Sequence, residues 1–155
     1  MNLIHFLTKN KQKRITLMAY WYSAVFRAKI KWCKPKKLHR QWGEQGKESA
    51  DSEKPWKYRY ARNVAIVVDR ICNKTPWESK CLVRALTAQK ILKKKRIAST
   101  LYLGCAHEGG KAVAHAWLRV GKMYVTGGNG ETYITVDRYA VLFPEEEVQE
   151  NGTKE

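Results

Sequence analysis

Cys81 and His115 are the two side chains whose types and surroundings suit covalent chemistry. The thiol stands in Trp77-Glu78-Ser79-Lys80-Cys81-Leu82 and the imidazole in Ala112-Val113-Ala114-His115-Ala116-Trp117. The first stretch reads as a helix start and the second as a strand. A thiol and an imidazole placed this way can serve as a nucleophile and its base. Partial positive charge at a helix start favours the thiolate, but the effect fades after the first turn. The competing readings are an inert buried thiol and a hydrogen-bonded core histidine. Trp77, one helical turn before Cys81, is a core residue or a wall of the site, and Trp117 is a second candidate for a site wall or substrate contact.

Other chemistries have less support. Cys33, Cys72, Cys81 and Cys105 form no CxxC pair, so neither a zinc ribbon nor a thioredoxin-like motif is present. A metal set of Cys81, Cys105, His107 and His115 matches no zinc spacing. Gly127-Gly128-Asn129-Gly130 lacks the lysine and following helix of a P-loop, so no nucleotide site is expected there. The expectation is a protein without metal or cofactor.

Helices must position the thiol. Thr75 can cap the helix of Cys81, Pro76 suits its first position and Glu78 completes a capping box. Leu82, Ala85, Leu86 and Gln89 mark one face, and Lys93 to Arg96 close the helix. A preceding helix over about Lys57 to Asn73 buries Tyr60, Ala61, Val64, Ala65, Val68 and Ile71. In a front helix over Ile15 to Ile30, Leu17, Met18, Trp21, Ala24, Val25 and Ala28 fall at helical spacing, predicting a core face. The alternative is a basic amphipathic helix in peripheral contact with a membrane or a partner. Lys34 to Lys54 is polar and reads as a linker or long loop.

Strands must position the imidazole. Ser99 to Cys105 is the first, and Ala112 to Val120 the second, ending at a Gly121-Lys122 turn. Met123 to Thr126 is the third. Asn129-Gly130 signals a hairpin into Thr132 to Val136. Helices followed by an antiparallel meander make an α+β pattern.

The 155 residues suffice for one domain with a core, and the net charge of +16 is concentrated in front, where no acidic residue precedes Glu44. Such a front could meet nucleic acid, an anionic membrane or an acidic partner. No signal peptide or membrane-spanning run is seen, and free thiols in a reducing cytoplasm are expected. The chain divides into a basic helix and linker over 1–55, a core over 56–143 and an acidic loose tail over 144–155.

Thr75-Pro76-Trp77, Cys81-Leu82, the helix through Leu92, the strand Thr100 to Gly104 and Ala114-His115-Ala116-Trp117 together resemble the lasso-peptide leader peptidases. The resemblance is firm from about Tyr60 to Phe143 and weaker in the front helix. It implies a papain/transglutaminase-like cysteine protease that removes the leader from a precursor peptide, with Cys81 as nucleophile and His115 as base. With no extra β-rich domain before the core, the chain looks like the stand-alone protease form. That implies a separate leader-binding recognition protein and an ATP-using lasso cyclase as partners. Two rival functions remain: acyl transfer by the same Cys/His pair, and a basic nucleic-acid-binding module using Lys9 to Arg40.

The family's third catalytic group is an acid on the strand after His115, and gapless alignment puts it at Gly127, which has no side chain. With a three-residue loop between the strands, Asn129 shares the face of His115, giving a Cys–His–Asn site. With a two-residue loop, Thr126 and Gly128 take that face. Asp137 is the obvious carboxylate, but the Asn129-Gly130 turn sends it toward the far end of the sheet. Asn129 is therefore the candidate, against its reading as a plain turn residue.

Overall fold

The computed structural model describes residues 12–144. Helix α1 (Lys13–Trp32) buries Ile15, Ala19, Ser23 and Phe26 against later helices. This corrects the expected core face. Leu17 and Trp21 lie on the solvent side, because the stripe through Ala19 and Ser23 is small enough for close helix packing. Its length exceeds the expected span at both ends.

The stretch expected as a linker is tied down instead. It holds a short helix α2 (Pro35–His39) and strand β1 (Glu44–Gln45). Leu38 and Trp42, four residues apart in a polar run, are both buried in the core. The Gln89 amide donates to the Trp42 carbonyl (2.9 Å), and the Ser49 N–H to the Thr100 hydroxyl (2.8 Å). Residues of α1 and of this stretch therefore share one core with the rest rather than standing apart.

Helix α3 (Pro55–Cys72) starts with proline in its first turn, where the missing N–H costs nothing. It buries Ala61, Val64, Val68 and Ile71, the expected face. Helix α4 (Cys81–Lys94) buries Leu86, Ile91 and Leu92 almost completely. Each such side chain contributes about 1.5–3 kcal/mol through burial.

Strands β2 (Ser99–Glu108), β3 (Lys111–Val120), β4 (Met123–Thr126) and β5 (Ile134–Val141) join β1 in one antiparallel sheet of order β1-β5-β2-β3-β4. The α+β fold with a five-stranded antiparallel sheet is thus present. The meander stops after β4. The Asn129-Gly130 segment does not fold β5 back onto β4; the chain crosses to the other side of β2, and β5 begins at Ile134. The acidic tail lies outside the described residues after Pro144, as does the opening apolar run.

Candidate active site

Cys81 is the first helical residue of α4. This corrects the expected start at Thr75-Pro76 and the second-turn position of the thiol. Thr75 caps nothing in α4: its hydroxyl bonds the Cys72 and Trp77 carbonyls and meets the Ser79 hydroxyl, closing the loop between α3 and α4. Glu78 pairs with Arg27 (3.0 Å) and Lys80 (2.9 Å) instead of completing a capping box. Lys80 takes the N-cap position with extended backbone and no side-chain cap bond. The N–H groups of Cys81, Leu82 and Val83 are therefore first-turn donors without an intrahelical acceptor.

Arg84, one turn after the thiol, fixes the loop that delivers it. Its Nε donates to the Ser79 carbonyl (2.8 Å), Nη1 to Asp69 (2.7 Å) and Nη2 to Asn73 (2.6 Å). One guanidinium thus binds the end of α3 to the residue two before Cys81. Trp77 is not a wall of the cavity. Its ring packs edge-on against Tyr20 and its N–H donates to the Ser23 hydroxyl (3.3 Å), pinning the same loop to α1.

His115 lies on β3 opposite Gly104. Its ring packs on Tyr133 (4.6 Å between centroids) and Trp117 (6.0 Å). Trp117 is buried behind the imidazole, in space that Gly104 and Gly130 leave open: a Cβ at either would strike its indole. Trp117 thus supports the site from beneath.

Cys81 and His115 both line one cavity of about 370 Å³, with Ala65, Val68, Asp69, Arg84, Val125, Thr126 and Gly127. No direct hydrogen bond joins them, as is common before substrate closes such a site. His115 Nε2 lies 2.7 Å from the Gly127 carbonyl oxygen. A carbonyl can only accept, so Nε2 carries the hydrogen, and in the neutral ring Nδ1 keeps its lone pair.

That carbonyl stands where the sequence offered no side chain. The β3–β4 hairpin has the two-residue Gly121-Lys122 loop, with Val120 opposite Met123, and then slips by one residue between Leu118 and Arg119. The slip ends the ladder at Thr126 and turns the chain through Gly127 at φ +77°. Asn129, the expected third group, does not line this cavity: its exposed side chain accepts the Glu131 N–H (3.2 Å) in a local turn. Asp137 is also engaged elsewhere, accepting from Gln45 (2.7 Å), Tyr139 (2.8 Å) and the Arg138 N–H (2.8 Å). Burial acts to raise its pKa, but these donors outweigh that and hold the carboxyl below its ordinary value. Tyr139 is pushed up to about 12, by burial and then by this carboxylate.

The four cysteines are free thiols. Cys72 is buried, and burial pushes its thiol up, more than Arg84 lowers it. Cys105 adjoins Gly104 on β2, so its side chain leaves the sheet on the face opposite His115. His107 is exposed near the hairpin tip. Cys81, Cys105, His107 and His115 are therefore not gathered into a metal cluster among the described residues. Nothing in the sequence analysis singled out Arg84, and at Gly127, where alignment put the family's acid, the backbone carbonyl went unconsidered. The Asp69/Asn73 pair, one helical turn apart, was a signal for the first; a backbone carbonyl leaves none.

Residues 25–143 match the family model described as transglutaminase-like superfamily. No curated protein and no solved structure matches the chain.

Proposed function

The chain belongs to the transglutaminase-like superfamily, typically cysteine-dependent enzymes, and on that footing we propose that it is a cysteine peptidase removing the leader from a lasso-peptide precursor. The observation that carries the reading is the shared cavity: Cys81 at the first residue of α4 and His115 on β3, with Nε2 held by the Gly127 carbonyl. The choice of substrate rests on the resemblance in Thr75-Pro76-Trp77, Cys81-Leu82 and Ala114-His115-Ala116-Trp117.

His115 Nδ1 takes the Cys81 proton, and Sγ attacks the carbonyl carbon at the leader–core junction. The new oxyanion accepts from first-turn N–H groups of α4, which are already oriented and lack intrahelical partners. The imidazolium gives its proton to the leaving amine as the C–N bond breaks. Water, deprotonated by His115, then attacks the thioester, and the Cys81 thiol leaves reprotonated. Throughout, the Gly127 carbonyl fixes the ring and its tautomer, as an acid or amide side chain does in other such sites.

The partners in this reading are the precursor peptide, a separate leader-binding protein and an ATP-using cyclase that closes the ring. The test is to incubate the chain with precursor peptide and leader-binding protein and to weigh the products. Release of free leader and core peptide, absent with Cys81→Ala, is the expected outcome. An amine adduct in place of the free acid would indicate acyl transfer. Intact precursor would refute the peptidase reading.

A further inference from the structure

Much of the outer face of α1 is uncovered among the described residues. Leu17, Trp21 and Trp32 are 55%, 66% and 75% exposed, and Tyr20 at the edge of this face packs its ring on Trp77. Positions 17, 21 and 32 lie within about a sixth of a turn of each other around a helix of 3.6 residues per turn, so they form one stripe. It is the face opposite Ile15, Ala19 and Phe26, which the core covers. A helix apolar on both sides needs something to cover the second.

Charge says what. The stripe has Lys13 and Arg14 at one end and Lys31, Lys34, Lys36 and Lys37 at the other. The first 43 residues carry eleven lysines and arginines and no acidic residue. Leu17 also borders a cleft lined by Lys13, Arg14, Lys94 and Lys95. A second copy of this face would bring like charges together, which disfavours self-association. Exposed tryptophans flanked by long cationic side chains suit the boundary between acyl chains and anionic headgroups. No helix of the described residues is long and apolar enough to cross a membrane, so the fit is to the surface.

We propose that the Leu17–Trp21–Trp32 face of α1, with its basic ends, docks the protein on an anionic bilayer surface. Tryptophan and leucine enter the headgroup region while the lysines and arginines meet lipid phosphates. The proposal does not depend on the reaction assigned to Cys81.

The test is co-sedimentation of the full chain with vesicles of phosphatidylcholine mixed with phosphatidylglycerol, against vesicles of phosphatidylcholine alone. Binding to the mixed vesicles only, weakening as salt is raised, is expected. Trp21→Ser with Trp32→Ser should reduce it about tenfold. Leu17→Ser should reduce it less, and circular dichroism should show each variant folded, since these side chains support no core. Failure to bind the mixed vesicles, equal binding to both kinds, or binding unchanged in the tryptophan variant would each overturn the proposal. So would a dimer in sedimentation equilibrium that Trp21→Ser dissolves, because the face would then be covered by a second copy.

Discussion

Gly127→Ala isolates the claim that a backbone carbonyl orients the imidazole. At φ +77° an alanine is already strained, by about 1–2 kcal/mol. Its Cβ would also lie 2.9 Å from Trp117 Cα and Cβ and closer still to the Ala116 carbonyl oxygen. Restoring ordinary 3.4 Å contact with Trp117 requires a retreat of about 0.5 Å (3.4 less 2.9), and the Ala116 contact demands more. A retreat along the bond lengthens the 2.7 Å Nε2–carbonyl contact to about 3.2 Å or beyond, the outer limit for N–H···O. Losing this bond frees the ring to rotate and to exchange tautomers. A lost hydrogen bond of about 1.5–3 kcal/mol corresponds to roughly a 10- to 100-fold fall in the chemical step. The assay is single-turnover cleavage of the precursor with the protein in excess, with thermal melting as a control for folding. Asn129→Ala, which removes only a local turn contact, should change the rate by less than about twofold. A folded Gly127→Ala protein cleaving at the parent rate would refute the reasoning, as would Asn129→Ala matching its defect.

Three further outcomes follow from the same geometry. Arg84→Ala should slow cleavage about tenfold and cost about 1 kcal/mol of stability, read by single-turnover kinetics and urea unfolding. Arg84→Lys should not restore it, because an ammonium cannot make three directed bonds from one plane. Cys72→Ala should leave cleavage intact, and iodoacetamide should label Cys81 well before Cys72, as peptide mapping by mass can check. Asp137 has a depressed folded pKa, so its stabilisation is complete above its unfolded pKa of about 3.9 and is lost as pH falls through the lower folded value. Asp137→Asn should therefore flatten the acid limb of the stability-against-pH curve in urea titrations, with little effect on cleavage.

Much of this arrangement was legible in the residues. Helical spacing marked the buried face of α3, and β-forming runs separated by glycine turns marked β2 to β4. The combination of Cys81 with Ala114-His115-Ala116-Trp117 pointed to the two residues that share the cavity. What escaped has physical reasons. Helix α1 carries apolar residues on both sides, and periodicity alone favoured the stripe with the larger ones; packing selected the smaller. Leu38 and Trp42 anchor a stretch whose average polarity read as a linker. The start of α4 was misplaced because Thr75, Pro76 and Glu78 have the composition of a cap but hold a loop. The one-residue slip between Leu118 and Arg119 depends on pairing that no local sequence encodes. The role of Gly127 was invisible, since every residue carries a carbonyl and only the fold decides which one meets His115.

In the proposed reaction the acyl group passes through a thioester on Cys81. Rapid quenching of the full chain with precursor peptide and leader-binding protein, followed by intact-mass and peptide mapping, tests it most directly. The expected result is a transient thioester to the leader on Cys81, formed as core peptide appears and lost as free leader accumulates. No adduct is expected with Cys81→Ala, and a greatly slowed one with His115→Ala. Core peptide released at the parent rate by Cys81→Ala, or an adduct mapped to Cys33, Cys72 or Cys105 instead, would contradict it.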